Sequence, residues 1–379
     1  MSEALIASAF ESAYTRHPDE SQTTERLLAD AFVGAVAAAG LSRDDVDGLA
    51  VSSFSLKPDH AIDLAWKLGL KPRWLMEDTN GGASGLNMLQ HAVRAVEAGD
   101  AETVVVCAGD RLEREDFAVL VNNYNVATRD WLAPLEFGGP NSLFALVTQR
   151  HAEKHGLGRE DYACVPLAQR AWASLNPGAV YRDELALEEY LAAGFVASPL
   201  CRYDCVPVVA GADAVVVTSR ASSGVRVRAL RALHNPDDQQ GDGIDPSGFA
   251  AFAPDLWAAA GVGPEEVDAA YLYDDYPVMV LVQASDLGLV ADGDLPRFCQ
   301  QRLLRERWPL NTSGGQLSAG QAGAAGGMHG LVEAVTQLRG GAGERQVPNA
   351  RLALVAGYGM VLYRHGACHN AAVLERVDS

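Results

Sequence analysis

The chain has 379 residues, 48% of them apolar, and a formal net charge of −19. That length holds two domains or one large layered core, and so acidic a chain suits neither nucleic acid nor an anionic membrane surface. No apolar run approaches the ~18 residues of a spanning helix, and no basic segment followed by an apolar block opens the chain, so neither a membrane span nor a secretory leader is expected. Six cysteines, Cys107, Cys164, Cys201, Cys205, Cys299 and Cys368, are scattered along it, which fits reduced thiols in a cytoplasmic protein. Cys201 and Cys205 stand close together, but no second Cys/His pair follows at finger-like spacing. The expectation is buried small residues and no metal.

In chain order, Ala4 to Ser12 reads as a strand, and Thr23 to Ala39 as an amphipathic helix capped by Thr23–Thr24 and ended by Gly40. Val46 to Ser53 is the next strand, and a short helix lies around Ala61 to Leu68. The stretch from Asp78 to Asp110 follows: a turn with Gly81, Gly82 and Gly85, a helix carrying Leu86, Leu89, Val93 and Val96, a stop at Gly99, and the apolar strand TVVVCAG. A helix that starts on a glycine turn aims free N–H groups and its positive dipole end at whatever lies there. Residues 111–200 are richer in aromatics and turns, with helices around Ser142 to His155 and Asp161 to Ala173. Turn material at 240–248 precedes a helix to Ala260. Tyr271 to Tyr276 reads as a strand entering a helix, Val278 to Leu287, and the chain closes with a Gly/Ala-rich segment, a helix and two strands. Strands and helices alternate, which predicts a layered α/β fold.

An internal repeat sharpens this. AAAGLSRDDVDGLAV at 37–51 matches AAAGVGPEEVDAAYL at 258–272. SGLNMLQHAV at 84–93 matches GGMHGLVEAV at 326–335, and VVVCAG at 104–109 matches LALVAG at 352–357. Matches in the same order, roughly 220–250 residues apart, are what a duplicated fold leaves behind.

The glycine turn, in Gly82-Ala83-Ser84-Gly85, resembles the nucleophile turn of the thiolase superfamily, where a cysteine precedes A-S-G; Gly82 stands in its place. ASLNPGAVYRDE and PLCRYDCVPVVAGA resemble elements of the sterol-carrier-protein-X branch, with Ala210 replacing an Asp of its pattern. The resemblance implies a duplicated thiolase fold: two similar βαβαβαββ halves layered α-β-α-β-α, with an inserted loop domain. The boundaries it suggests are 1–110 for the N-terminal half, 111–200 for the lid-like insertion, 201–222 for a return strand and 223–379 for the C-terminal half. Three second-half motifs also have counterparts. The G-H-P histidine falls on Gln321, downstream of Asn311. The N-E-A-F or H-D-x-F residue falls on Tyr273. The C-x-G-G-G-M-G cysteine falls on Val355, before Gly357, Tyr358 and Gly359.

Claisen chemistry by the usual route is thereby excluded, since Gly82 cannot carry an acyl group, Val355 cannot move a proton and Gln321 does not titrate. What remains is a set of donors: the phenols of Tyr273 and Tyr358, the Gln321 amide, and backbone N–H groups of the two glycine turns. The steroid side-chain aldolases, similar to lipid-transfer thiolases but lacking the cysteine, use tyrosines in these motifs, although Gln321 here departs from that pattern. Catalytic candidates are therefore Tyr273, Gln321 and Tyr358, and substrate-binding candidates are Gly82, Ser84, Asn311, Gly357, Gly359 and His329. Each has a plainer reading: core aromatics, turn glycines, and a packed or tethering histidine. Asp274 and Asp275, adjacent on a strand, point apart; one caps the next helix. His365 and His369 are expected at the surface.

The resemblance implies a retro-aldolase cleaving a β-hydroxyacyl-CoA with a bulky or steroid-like acyl part. It implies no tightly bound cofactor, coenzyme A entering as part of the substrate. It also implies a homodimer, in which strands like VVVCAG pair, and a small OB-fold/zinc-ribbon partner. A catalytically silent subunit and an acyl-CoA or lipid-binding component remain as alternatives.

Overall fold

A computed structural model describes residues 3–135, 139–236, 245–362 and 365–378. The turn expected at 240–248 lies partly outside them, as does the side chain of His365. The first half contains β1 (Leu5–Glu11), α1 (Thr24–Ala38), β2 (Gly48–Ser52), α2 (Ala61–Lys67), β3 (Trp74–Glu77), α3 (Ser84–Ala98) and β4 (Thr103–Asp110). The insertion carries α4 (Arg114–Asn122), α5 (Pro140–His155), α6 (Arg159–Ala173), α7 (Leu187–Ala192) and a small hairpin of β5 (Phe195–Ala197) and β6 (Leu200–Cys201). The chain then returns through β7 (Gly211–Thr218). The second half contains β8 (Gly224–His234), α8 (Gly248–Ala260), β9 (Ala269–Tyr271), α9 (Pro277–Asp286), α10 (Leu295–Arg297), α11 (Gly315–Ala319), α12 (Gly326–Leu338), β10 (Leu352–Leu362) and β11 (His365–Val377).

Strand order is β3-β2-β4-β7-β1-β8-β11-β10-β9. The two lobes meet where β1 and β8 share one register pair, Ile6 with Val225. Each lobe places parallel strands at its outer edge and antiparallel ones toward the junction. The halves are not identical, because the counterpart of β3 in the second half shrinks to a bridge between Ala270 and Leu310. One expectation about assembly changes. β4, the VVVCAG strand, pairs with β2 on one side and β7 on the other, so it has no free edge; the edge strand of this lobe is β3.

The layers follow from which faces are apolar. α3 and α12 lie between the lobes, where Leu86, Leu89, Leu331 and Val335 pack with Val104 and Val106 of β4 and Val355 of β10. α1 and α2 cover the far face of the first lobe through Leu28, Phe32 and Leu64. α8 and α9, with α5 and α6 of the insertion, cover the far face of the second through Phe249, Leu281, Phe144 and Val165. Each fully buried leucine or phenylalanine contributes on the order of 1.5–3 kcal/mol, so this three-cluster core fixes the relation of the lobes.

The central helices meet closely. A Cβ on Gly85 would lie 2.0 Å from the Gly327 carbonyl oxygen, and one on Gly327 would lie 2.8 Å from that of Gly81. The glycines shared by the two sequence repeats are therefore what lets α3 and α12 start side by side, with both N-termini near one place. Local signals hold as well. Thr23 accepts from the Arg26 amide at the start of α1, and Gly99, at φ 82°, ends α3.

Candidate active site

Four segments converge on one cavity of about 260 Å³. They are the Gly82 turn before α3, the loop after β9, the loop before α12, and the end of β10. The insertion roofs it with Phe117, Leu120 and Tyr124, and with Pro140 and Asn141 at the start of α5. Asn125 pins this roof to β10, its Nδ2 donating to the Val361 carbonyl at 2.9 Å.

Gly82 and Tyr273 are one feature. A Cβ at Gly82 would lie 2.2 Å from the Tyr358 carbonyl oxygen and 2.3 Å from Cε2 of Tyr273. The space in which a nucleophile at position 82 would stand is filled by the Tyr273 ring. The Tyr273 hydroxyl accepts from Gln321 Nε2 at 3.1 Å. Burial, then Asp275, Tyr124 and Asp274, push its pKa well up, and the Gln321 hydrogen bond opposes them only partly. Tyr273 is thus a neutral phenol and a donor.

Gln321 is expected from sequence to donate to a substrate carbonyl. The structure corrects this: its Nε2 donates to Tyr273 and to Gln316 Oε1 at 3.0 Å, so both amide hydrogens are used in the wall. Its main chain is held by Pro207 and Val209 through bonds of 2.9 and 3.1 Å. Gln321 therefore orients Tyr273. Tyr358 lines the cavity, but its hydroxyl takes the Gly366 N–H, and its ring packs edge-on against His369. His369 is fully buried between Tyr358 and Phe249, not at the surface.

Gly359 lies on the rim, where a Cβ would approach the Gly82 nitrogen to 2.9 Å. The other binding candidates stand behind the wall, and none lines the cavity. Ser84 donates to Asp78 Oδ1 at 2.5 Å. Gly357 backs onto the Gly82 carbonyl, to which a Cβ would come within 2.8 Å. Asn311 takes the Leu272 amide at 2.9 Å and donates to its carbonyl at 3.0 Å. His329 sits 3.0 Å from Glu11 and 2.8 Å from Ser313 Oγ. Burial alone would lower its pKa, but Glu11, Asp213 and Asp274 outweigh that and hold it up at about 9. It stands behind the wall, between Glu11 and Ser313.

Sequence reasoning missed three groups. Gln283, buried on α9, takes the Tyr273 amide at 3.1 Å and donates to its carbonyl at 2.7 Å. Asp110, at the end of β4, accepts from Ser53, Phe54 and Ser55 and from the Ala324 amide at 2.7 Å, tying the two lobes at the cavity floor. Asp275 lines the cavity with Oδ1 buried and without a hydrogen-bond partner. The strand stops at Tyr271, so Tyr273 to Tyr276 form a loop. Asp274 turns to the amides of Gln316 and Leu317 and caps α11 rather than α9. Of the CRYDC pair, Cys201 is buried on β6 and Cys205 lines the cavity, and none of the six cysteines forms a disulfide.

Two kindred lobes, paired glycine turns at a shared cavity, and a tyrosine ring where a sulfur nucleophile would stand define a thiolase-fold protein without the nucleophilic thiol of that turn. Comparison with known proteins agrees. Residues 232–375 match the family model "Thiolase C-terminal domain-like". The chain is 30% identical over 340 residues to 17-hydroxy-3-oxo-4-pregnene-20-carboxyl-CoA lyase of Mycobacterium tuberculosis, covering 83% of this chain and 86% of that one. It is 29% identical over 367 residues to a steroid side-chain-cleaving aldolase of Thermomonospora curvata, covering 89% and 90%. A solved structure of an "Ltp2-ChsH2(DUF35) aldolase" superposes with a TM-score of 0.85 at 26% identity, covering 100% of this chain and 98% of that one. The chain belongs to the thiolase superfamily, in the branch of sterol-carrier-protein thiolases and steroid side-chain aldolases.

Proposed function

We propose that this protein is a carbon–carbon lyase, a retro-aldolase acting on a β-hydroxyacyl-CoA whose acyl part is bulky and steroid-like. The observation that carries it is the Tyr273 ring in the nucleophile's space, its hydroxyl accepting from Gln321 so that its own hydrogen is left for a ligand. Retro-aldol cleavage breaks the bond between the α-carbon and the carbinol carbon. It needs a base for the hydroxyl and donors for the thioester enolate oxygen, and no covalent intermediate. Tyr273, with the amide N–H groups of Gly82 and Gly359, supplies donors at one rim. The largely apolar roof from the insertion suits a large hydrocarbon substrate. Coenzyme A enters as part of the substrate, and no tightly bound cofactor is required.

The names of two relatives support the reading, one being a steroid acyl-CoA lyase and the other a side-chain-cleaving aldolase. The name of the solved neighbour joins two components, which supports a partner protein here; a small partner of OB-fold and zinc-ribbon type is what the family resemblance implies. The β3 edge is where a homodimer would pair sheets.

The test is incubation with 17-hydroxy-3-oxo-4-pregnene-20-carboxyl-CoA, with and without the partner, following release of a 17-ketone and propionyl-CoA. Cleavage is expected, and Tyr273→Phe should lower kcat by about 10²–10³-fold, the usual loss on removing one oxyanion donor. Undiminished turnover in that variant would remove Tyr273 from the mechanism. Binding without turnover would favour a silent or lipid-binding subunit.

A further inference from the structure

We propose that the carboxylate of Asp275 is the general base of the cleavage, taking the proton of the substrate's β-hydroxyl and returning it to the α-carbon. The proposal rests on the retro-aldol reading above and names the group that reading lacks. Among the described residues that line the cavity, Asp275 is the one carboxylate; the other ionisable groups there are four phenols and the Cys205 thiol. Its Oδ1 is buried and has no hydrogen-bond partner, an expensive arrangement unless a ligand completes it. Its neighbour Asp274 is fully engaged by the start of α11, so only one of the pair is available.

The charged and titratable groups facing Asp275 are Tyr124 from the roof, Tyr273 and Tyr276 from its own loop, Tyr358 from β10, and Asp274. Burial raises the pKa of every one of these phenols, and that of Cys205 to about 12, so none is a base near neutrality. Burial and then Asp274 push the pKa of Asp275 up from the ordinary carboxylate range, and hydrogen bonds from the Tyr276 and Asp275 amides oppose them only partly. Nearby phenols also give the resulting carboxyl and the enolate a set of neutral donors.

The step balances. The hydroxyl O–H bond breaks and its proton passes to Asp275. The oxygen's electron pair forms the ketone C=O as the bond to the α-carbon breaks. The pair from that bond becomes the thioester enolate, held by Tyr273 and the Gly82 and Gly359 amides. The enolate carbon then takes the proton back from Asp275. Ketone and shortened acyl-CoA leave, and the carboxylate is restored with no outside oxidant, reductant or water.

The test compares the wild type with Asp275→Asn and Asp275→Glu, each isolated with the small partner. 17-Hydroxy-3-oxo-4-pregnene-20-carboxyl-CoA serves as substrate, and its 17-deoxy analogue as a ligand that cannot be cleaved. Asp275→Asn should lower kcat by about 10²–10⁴-fold, bind the deoxy analogue as the wild type does, and lose the acidic limb of the kcat/KM pH profile. Asp275→Glu should keep part of the rate with that limb shifted. Turnover in Asp275→Asn within about tenfold of an active wild type, or loss of analogue binding in parallel with turnover, would overturn the assignment. A wild type that leaves the steroid thioester intact would overturn the retro-aldol reading and the base with it; an active wild type with an active Asp275→Asn overturns the base alone.

Discussion

At the scale of single residues, the site is defined by an exchange of volume. Gly82 is small because Tyr273 is large, and the two belong to different lobes. Restoring the family's nucleophile with Gly82→Cys should therefore not restore thiolase chemistry. The new Cβ would meet the Tyr358 main-chain oxygen at 2.2 Å and the Tyr273 ring at 2.3 Å, and a ring can move more easily than a backbone. Overpacking of this kind costs about 1–3 kcal/mol, so the thermal midpoint should fall and acyl transfer from a β-ketoacyl-CoA should stay at background. A variant of unchanged stability that forms an acyl-enzyme would show that the space is free. Gly82 and Tyr273 were readable from their motif positions, because each replaces a chemically distinctive residue. Their contact was not, because 190 or so intervening residues separate them and only the fold brings them together. Asp275 was misjudged for a related reason: an adjacent pair was read as strand residues, whereas the strand ends at Tyr271 and each carboxylate finds its own environment.

At the scale of elements, the loop after β9 is held by two side-chain amides that never reach the cavity. Asn311 brackets the main chain of Leu272, and Gln283 brackets that of Tyr273. To the loop's main chain each makes one bond as acceptor and one as donor, substituting for a strand that stops short. Gln283→Leu should thus leave the Tyr273 amide and carbonyl unpaired in a buried place. A loss of about 1–3 kcal/mol is expected in urea unfolding, with a fall in kcat larger than any change in KM. Unchanged kcat at reduced stability would show that the clamp serves folding and not the site. The helix–strand alternation, the caps of α1 and α3 and the paired glycine turns were legible, since they depend on local chemistry and periodicity. Clamps were not, because Gln283 lies mid-helix in an apolar run and gives no local signal of its partner. His329 likewise reads as a site histidine by position; Glu11, from β1, makes it an anchor.

At the scale of the whole molecule, duplication supplies two glycine turns and two central helices that start side by side, and the insertion closes a roof over the point where they meet. The repeats announced that plan in the sequence, but not the β1–β8 junction or the interior place of β4, which depend on pairings between distant segments. With the sulfur gone and a phenol in its space, the arrangement implies cleavage without acylation. The most direct measurement is rapid mixing of the protein and its partner with a β-hydroxyacyl-CoA of the steroid type, quenched and read by intact-protein mass spectrometry beside product analysis. The account predicts ketone and shortened acyl-CoA in equal amounts while the protein mass stays that of the unmodified chain. An acylated protein appearing before product, or a substrate left whole, would contradict it.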